Sequence, residues 1–458
     1  MSKRTLRAIV VLIAGLMAPH TASAQIPAGS EFQVNSYTTG PQTLPAVAVD
    51  ADGDFVVVWH SYGSDNGDPS SWCIQGQRYS SGGMALGSEF LVNSYTPGTQ
   101  LRPRVAVAAD GDFVVVWDSD GSNDSDTSSL SIRAQRFSSD GNTLGSSFQV
   151  NSYTTGIQYL SAVAMNASGA FVVTWMSDGS KGTDSSSSSV QAQRYSSGGS
   201  ALGSQFQVNS NTTGPQAFPT VALGSGGEFV VAWQSYGSDA GDPSNWSVQG
   251  QRYAASGLAL GPEFLVNTFT PNAQNYPAVA LSPDGDFVVV WQSEGSYGDD
   301  TPSPSIQAQR YSSAGSTLGG QFQVNSYTTN YQINPAVAMD SNGAFLIAWT
   351  SYGSDNGDSA STSIQGQRYS STGSALGVEF LANSYTANSQ FASAVATTPA
   401  GDFVVVWSSN GSNGGDTSDS SVQGQRYGLE ICGGVPGCQI FSDGFESGDT
   451  TTWSATLP

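Results

Sequence analysis

Carboxylate and amide side chains cluster at seven places in this sequence, each shortly after a tryptophan. Every cluster reads W-x-S-x-G-S-x-x-x-D, and its last residue is one of seven aspartates: Asp68, Asp126, Asp184, Asp242, Asp300, Asp358 and Asp416. Oxygen ligands of this kind suit calcium, and an extracellular calcium site needs only weak affinity. The pattern predicts weak calcium sites, with Asp65 and Asp68 as ligands in the first cluster. A Gly-Ser turn in which the aspartate caps its own backbone is the alternative.

Asp50, Asp52 and Asp54 alternate within a second acidic stretch. Alternating aspartates around a glycine are typical of a calcium-binding loop. The equivalent stretches later in the chain lose these carboxylates, and residues 166–170 read N-A-S-G-A. Asp50, Asp52 and Asp54 are therefore candidate calcium ligands in one copy, and a plain turn is the better interpretation of the stretch elsewhere.

An arginine also recurs seven times and accounts for seven of the eleven basic residues after residue 24. The set is Arg78, Arg136, Arg194, Arg252, Arg310, Arg368 and Arg426. A cation present in every copy points to a structural role, and its natural partner is the aspartate that closes each acidic cluster. We expect structural ion pairs, each costing about 3–5 kcal/mol to break if it is buried.

Aromatic side chains accompany the acidic clusters. Tyrosines follow a repeated Asn-Ser pair and two tryptophans lie within clusters, which gives the set Tyr37, Trp72, Tyr95, Tyr153, Trp246, Tyr327 and Tyr385. Aromatic faces beside polar amides suit a carbohydrate or a protein loop. These residues form the candidate ligand-binding face.

Histidine is scarce, because His60 is the only histidine after residue 24. A multi-histidine metal site is therefore excluded, and a Ser-His-Asp or Cys-His arrangement would need His60. The position after the repeated tryptophan holds unrelated residues in the other copies, so we interpret His60 as a surface histidine. Paired carboxylates for glycoside hydrolysis stay open, although no Asp or Glu stands out from its equivalents.

The elements that position these residues repeat every 58 residues without insertion or deletion. Each unit contains four short strand signals separated by glycine-containing turns, which is typical of one blade of a β-propeller. The run Phe55 to Trp59 is apolar on both faces, as expected for a strand buried between two blades. We predict an all-β, seven-bladed β-propeller with four antiparallel strands per blade and the strand around Val47-Ala48 innermost.

The repeat array begins with a lone strand, Phe32 to Asn35, and ends at Tyr427, one outer strand short. Pairing the first strand with the last blade would remove two exposed sheet edges. We therefore predict that the N-terminal strand closes the ring. A β-solenoid is the alternative, but its coils repeat over fewer residues.

The propeller is expected to span residues 25–430. Residues 1–24 have a basic start, a short apolar run and a small-residue end, as in a secretory signal peptide. Residues 431–458 form a tail in which Cys432 and Cys438 are expected to pair as a disulfide in an oxidising compartment. We expect export to the medium or the cell surface, with the periplasm as the alternative destination.

The chain after residue 24 contains 11 Lys and Arg against 36 Asp and Glu, a net charge of about −25. Such a charge repels nucleic acid and anionic membrane surfaces. We expect no nucleic-acid partner, no integral membrane span and a monomer.

Over residues 31–427, the segments D-G-D-F-V-V-V-W, I-Q-G-Q-R-Y-S-S and A-L-G-S-E-F resemble a repeat of uncharacterised secreted proteobacterial proteins. The resemblance implies a β-propeller and export, without an activity. A more distant similarity to integrin-type (FG-GAP) propellers, which hold calcium in their loops, is limited to D-x-D-G-D. We expect a non-catalytic secreted or surface propeller that binds carbohydrate or protein through its aromatic and acidic face. A carbohydrate-active hydrolase or lyase and a purely structural surface protein are the alternatives.

Overall fold

The computed structural model describes residues 25–64, 71–121, 126, 129–180, 182–184, 187–238, 242–295, 303–354, 361–412, 415–416 and 419–429. These residues form seven antiparallel sheets arranged as a ring. The predicted seven-bladed β-propeller is confirmed. The described residues include no helix that is long and apolar enough to span a membrane. The predicted signal peptide and the tail, with Cys432 and Cys438, lie outside the described residues.

Two short strands precede the first full blade, and each of blades 1 to 4 then uses four consecutive strands. These strands are β1 (Gln25–Pro27), β2 (Phe32–Gln33), β3 (Gln42–Val49), β4 (Phe55–Tyr62), β5 (Trp72–Tyr79), β6 (Phe90–Leu91), β7 (Gln100–Val107), β8 (Phe113–Asp120), β9 (Leu130–Phe137), β10 (Phe148–Gln149), β11 (Gln158–Met165), β12 (Phe171–Asp178), β13 (Ser188–Tyr195), β14 (Phe206–Gln207), β15 (Gln216–Leu223), β16 (Phe229–Ser238), β17 (Asp242–Tyr253) and β18 (Phe264–Leu265).

Blades 5 and 6 follow the same plan, and blade 7 has three strands of its own. The remaining strands are β19 (Gln274–Leu281), β20 (Phe287–Glu294), β21 (Pro304–Tyr311), β22 (Phe322–Gln323), β23 (Gln332–Met339), β24 (Phe345–Tyr352), β25 (Thr362–Tyr369), β26 (Ala375–Leu381), β27 (Gln390–Thr397), β28 (Phe403–Asn410) and β29 (Ser420–Leu429).

The hydrophobic core lies between neighbouring blades. In β4, Val56 and Val58 pack against blade 2, whereas Val57 and Trp59 pack against blade 7. Val57, Val58 and Trp59 have no exposed surface. The apolar run is therefore buried on both faces, and the ring geometry explains why its sequence does not alternate.

The N-terminal strands complete blade 7, as predicted. Phe32 of β2 opposes Gly424 of β29, and β1 adds a further antiparallel pairing with the same strand. Asn35 Oδ1 accepts a hydrogen bond of 2.7 Å from the Val422 N–H. The two chain ends thus meet in blade 7 and close the ring, and the edge of β29 is paired rather than free.

Two sets of loops lie at one end of the ring, which we call the loop face. They are the acidic loops and the loops that carry Tyr37 and its equivalents, and Ser71 Oγ of the first set donates to the Gly98 carbonyl of the second at 2.9 Å. At the opposite end, the hairpin face, turn residues from all seven blades line a cavity of about 250 Å³ on the ring axis.

Candidate functional site

The repeated tyrosines of the predicted ligand face are half-buried rather than presented to solvent. Four of their hydroxyls lie beside the glycine of their own blade's acidic loop. A Cβ atom on Gly121, Gly179, Gly353 or Gly411 would lie 2.8–3.2 Å from the hydroxyl of Tyr95, Tyr153, Tyr327 or Tyr385, respectively. These tyrosines therefore pack against the acidic loops, and their predicted contact with a ligand stays a prediction, as does that of Tyr37.

More exposed aromatic rings lie at a different position, at or near the end of the second strand. Tyr62 is 47% exposed and packs edge-on against Trp72, with 5.5 Å between ring centroids. Tyr236 and Trp246 form the same pair at 5.5 Å. The two predicted tryptophans thus support tyrosines that the sequence reading did not select.

The acidic-loop aspartates whose side chains the structure describes are bound to asparagines of their own blade. Asp126 and Asp184 each accept a hydrogen bond of 3.0 Å, from Asn151 and Asn209 respectively, and Asp416 accepts one of 3.3 Å from Asn35. Asp65, Asp68, Asp300 and Asp358 lie outside the described residues, and the side chain of Asp242 is not described. The calcium prediction for these loops stays a prediction.

The predicted pairing of the repeated arginine with this aspartate is wrong where both side chains are described. In blade 2 the predicted partners are Asp126 and Arg136. Asp126 lies in the loop between the paired residues Asp120 and Leu130, whereas Arg136 pairs with Val114 at the other end of the strand. Six residues of strand separate the two ends, or about 20 Å. The arginine and the aspartate each occur once per repeat, which suggested a pair. The repeat does not show that they lie at opposite ends of a strand.

The repeated arginine instead joins neighbouring blades through backbone carbonyls. Arg136 donates to Gly198 O at 2.9 Å and to Ser197 O at 2.6 Å, both in the next blade. Arg310 makes the same contacts with Thr372 and Ser371, each at 2.6 Å. Carbonyl oxygens in a turn need donors, and a guanidinium supplies several.

The Asp50 carboxylate, a candidate calcium ligand, caps its own turn. Its Oδ1 accepts hydrogen bonds from the backbone N–H groups of Asp52 (3.0 Å) and Asp54 (2.9 Å). The Asp54 carboxylate accepts from the Ser81 N–H at 2.7 Å. Across the described part of the chain, no three His, Cys, Asp or Glu side chains form a group that could hold a metal ion.

Near the loop face, each inner strand contains a β-bulge at which its pairing with the second strand shifts by one residue. The bulged residue has a positive φ in every blade, and the set is Leu44, Arg102, Leu160, Phe218, Tyr276, Asn334 and Ala392. Bulges re-aim side chains and are frequent beside active sites. The rings of Phe218 and Tyr276 contact each other at 4.8 Å, so bulged residues of neighbouring blades meet.

The residue after the repeated tryptophan connects each blade to the next bulge. In three blades its side chain accepts a hydrogen bond of 3.0 Å from the backbone N–H of the next bulged residue, in the pairs Ser408 with Leu44, Asp118 with Leu160, and Gln234 with Tyr276. Among the seven equivalents, Asp118 is the only carboxylate. The expectation that no Asp or Glu stands out from its repeat equivalents is therefore wrong.

Asp118 is fully buried and pairs with the bulged residue of its own blade. Arg102 Nη1 lies 3.1 Å from Asp118 Oδ2, and the Arg102 side chain is 34% exposed. Burial raises the pKa of Asp118, and the hydrogen bond from Leu160 and the charge of Arg102 oppose this increase. One end of this ion pair therefore reaches solvent while the other end does not.

His60 is buried, which corrects the interpretation of a surface histidine. It is 7% exposed, its ring packs against Trp72 with 4.6 Å between centroids, and its Nε2 forms a hydrogen bond with the Thr43 hydroxyl. Burial lowers the pKa of His60 to about 4, and the positive charges of Arg102 and Arg104 act in the same direction. The imidazole is neutral at neutral pH as a result.

Tyr159 and Asp178 of blade 3 lie in the same neighbourhood and are partly exposed. Burial raises the pKa of Tyr159, the charges of Asp178 and Asp118 add to the increase, and Arg102 opposes it. Burial also raises the pKa of Asp178. Both groups therefore hold a proton to a higher pH than their free counterparts.

We call His60, Arg102, Arg104, Asp118, Tyr159 and Asp178 the charged cluster. A signal for it was present in the sequence, because the 58-residue repeat shows what each position carries elsewhere. Asp118, for example, corresponds to Ser408 and Arg102 to Leu44. Alignment of the seven repeats position by position separates these residues from their equivalents.

The equivalent place between blades 6 and 7 is a cleft of about 580 Å³, which we call the amide cleft. Its lining is uncharged: Tyr327, Asn330, Ile333, Asn334, Thr350, Tyr352, Gly353, Ser361, Thr362, Ser389, Phe391 and Asn410. Tyr352 is 42% exposed and packs against the 52% exposed Tyr331, with 5.6 Å between ring centroids. Exposed rings beside amide groups suit the apolar and polar faces of a sugar.

No protein-family profile matches the chain, and no curated protein matches it. Solved structures do. A polysaccharide lyase described as an ulvan lyase matches with a TM-score of 0.50 at 11% identity, over 87% of this chain and 96% of its own. A protein of unknown function from Dyadobacter fermentans matches with a TM-score of 0.49 at 10% identity, over 89% and 99%. An α-L-arabinanase from Penicillium chrysogenum, complexed with arabinobiose, matches with a TM-score of 0.43 at 13% identity, over 88% and 98%.

These matches correct the expected function. A solved propeller of the same fold is described as a polysaccharide lyase, so the expectation of a non-catalytic binding propeller is overturned in favour of its alternative. At such low identities the likeness itself shows the shared propeller fold. Any activity must be argued from the side chains at the loop face.

Proposed function

We propose that this protein is a carbohydrate-active enzyme, a hydrolase or lyase, which cleaves a glycan at the charged cluster. The observation that carries the proposal is that proton-holding and cationic side chains gather at one junction of the loop face. Arg102, Arg104 and Asp118 lie where the other blades carry uncharged residues, whereas the Asp178 position also holds a carboxylate in blades 2 and 5. The scaffold does not require these side chains, since the other blades build the same junction without them. Polysaccharide-cleaving enzymes on the same fold support this proposal.

Asp178 is the candidate proton donor to the glycosidic oxygen. Because burial raises the pKa of this half-buried carboxyl group, it keeps its proton to a higher pH than a free aspartic acid, as a general acid requires. Tyr159 supplies a second partly exposed hydroxyl within the electrostatic range of Asp178. In an elimination, where negative charge develops on the sugar, the partly exposed guanidinium of Arg102 can stabilise that charge.

The flanking aromatic pair gives the glycan a surface on which to lie. Tyr62 and Trp72 stand next to His60, which is itself next to the arginines of the charged cluster. Sugar rings pack their C–H faces on such side chains. We propose that the chain acts after export, for which residues 1–24 supply the sequence pattern.

The experiment is an activity screen against a panel of neutral and acidic polysaccharides. Released reducing ends report cleavage of either kind, and ultraviolet absorbance of an unsaturated sugar reports elimination. Asp178→Asn and Tyr159→Phe should each lower kcat about 100-fold. Both variants introduce a residue that blade 7 carries at the same position, Asn410 or Phe391, so the fold is expected to persist.

Glu294→Gln is the matched control, because Glu294 occupies the Asp178 position in blade 5. It should leave kcat unchanged. Because the protonated form of Asp178 is the donor, activity should fall as pH rises through its raised pKa, and Asp178→Asn should remove that part of the pH profile. No cleavage of any glycan, or full activity in both blade 3 variants, would contradict the proposal.

A further inference from the structure

The cations outside the repeated set are concentrated in one blade. Four basic residues after residue 24 do not belong to the repeated arginines: Arg102, Arg104, Arg133 and Lys181. Three of them lie in blade 2, and Lys181 lies outside the described residues. In a chain with a net charge of −22, this concentration needs a reason.

Arg133 has a structural explanation in the outer part of the blade. Its Nη2 donates to Ser147 Oγ at 3.2 Å. In blades 3 and 5 the same two positions hold glutamines that bond to each other, Gln205 to Gln191 at 3.0 Å and Gln321 to Gln307 at 3.1 Å. In blade 2 a longer arginine and a shorter serine thus replace the two glutamines and keep the hydrogen bond between the two positions.

Arg102 and Arg104 have no comparable explanation from the scaffold. Arg102 corresponds to an uncharged bulged residue in every other blade, and Arg104 corresponds to Ala46, Ala162, Thr220, Ala278, Ala336 and Ala394. The inner strand of blade 2 therefore carries two guanidinium groups where the other blades carry none. Asp118 balances one of them.

The Arg104 side chain is exposed although it belongs to the innermost strand, so it stands in the solvent of the central channel. Its guanidinium donates to the Pro103 carbonyl at 2.9 Å, and no carboxylate of the described residues lies within salt-bridge distance of it. Surrounding protein lowers its pKa by desolvation, which the charge of Asp118 opposes and that of Arg102 assists. An arginine nevertheless stays charged, so Arg104 brings to the channel a positive charge that no described carboxylate pairs with.

We propose that Arg104, assisted by Arg102, binds the carboxylate or sulfate group of an acidic sugar, and that the substrate is an anionic polysaccharide. This inference rests on the proposed function. A guanidinium presents paired N–H donors that match the oxygens of both groups. The net negative charge of the protein repels such a polymer elsewhere, so the site also confines it to the channel around Arg104.

The test compares the full-length wild-type protein with Arg104→Ala, which introduces the residue that five other blades carry. Binding and cleavage are measured with polygalacturonate, a sulfated galactan and a neutral arabinan. Wild type should bind at least one acidic polymer, more weakly as salt is raised. Arg104→Ala should weaken this binding about tenfold, with unchanged melting temperature. Arg133→Gln removes a cation of the same blade and should leave binding unchanged.

Cleavage or binding of arabinan alone, or equal binding of an acidic polymer by wild type and Arg104→Ala, would overturn the anion site and leave the proposed function in place. Failure to bind or cleave any of the polymers and the wider glycan panel would overturn both. A tenfold loss in Arg133→Gln as well would assign the effect to overall charge and overturn the specific role of Arg104.

Discussion

The junction between blades 2 and 3 and the junction between blades 6 and 7 occupy equivalent places in the ring and differ in every side chain that could do chemistry. Arg102, Asp118, Tyr159 and Asp178 at the first correspond to Asn334, Thr350, Phe391 and Asn410 at the second. The second junction is the amide cleft, which is uncharged and open. The two junctions thus share one backbone structure, and the exchange of four side chains makes one charged and the other uncharged.

The division of roles suggested by this comparison is cleavage at the charged cluster and sugar binding at the amide cleft. The strand registers and bulges are the same at both junctions. Differences in behaviour between variants at the two places can therefore be assigned to side chains. The following experiments use this property, in order of decreasing effect.

The largest effect is expected from separating the ion pair of blade 2, whose carboxylate is fully buried. Arg102→Leu leaves the Asp118 carboxylate buried without its cation, which should cost about 3–5 kcal/mol of unfolding free energy. The double variant Arg102→Leu/Asp118→Ser introduces residues that occur at these positions as Leu44 and Ser408, and most of the loss should be regained. Urea unfolding measures both. An Arg102→Leu variant with the same unfolding free energy as wild type would contradict the stabilising role of the Arg102–Asp118 pair.

The next effect is a dependence of the unfolding free energy on pH, which arises from His60 and has no counterpart at the uncharged amide cleft. His60 keeps its neutral form in the folded chain because burial lowers its pKa from 6.5 to about 4. Between pH 6.5 and 4 the unfolded chain binds a proton at His60 and the folded chain does not. The free energy of unfolding therefore falls by about 3 kcal/mol as pH is lowered from 6.5 to 4. His60→Gln, with the residue found at Gln234, should flatten the curve in this window. Identical curves for wild type and variant would contradict the burial argument.

A smaller effect is expected at the amide cleft. Tyr352→Ala removes an exposed ring and should cost about 0.5–1.5 kcal/mol of glycan binding. The Michaelis constant should therefore rise up to about tenfold while kcat is unchanged. A fall in kcat of the size expected for Asp178→Asn would place the chemistry in the cleft and reverse the assigned roles.

The smallest effect is expected from chelation of calcium. A site with a dissociation constant of 10⁻⁴ to 10⁻³ M contributes about 0.4–1.4 kcal/mol in about 1 mM calcium. Because the acidic loops recur in every blade, removal of calcium should lower the melting temperature slightly without changing the relative activity of variants at the two junctions. An unchanged melting curve would dispose of calcium in these loops.

The architecture could be predicted from the sequence because three features restrict it strongly. They are the 58-residue period, the second strand that is apolar on both faces, and the outer strand that the last repeat lacks. Phe55 to Trp59 must be buried on both faces, and the strand at Phe32 must find a partner. Ring closure follows from these requirements. Local apolar patterns carry this information because burial between blades acts on every residue of the strand.

The candidate site was harder to predict, because it depends on the exchange of single side chains within a fixed repeat. The pairing of Arg102 with Asp118 needs the bulge, which places two residues opposite one and is not visible in the sequence pattern. The pairing of Arg136 with Asp126 failed for a related reason, since equal repeat frequency says nothing about which strand end each residue occupies. The burial of His60 was missed because it comes from packing against Trp72, a contact that the sequence pattern does not show.

The most direct test of the account is a crystal structure of Asp178→Asn with an oligosaccharide of the cleaved glycan. We predict that the sugar crosses the loop face with a glycosidic oxygen within hydrogen-bond distance of residue 178 and an acidic group on Arg104. A sugar confined to the amide cleft, with no atom near residues 159 and 178, would contradict the assignment of the chemistry to the charged cluster.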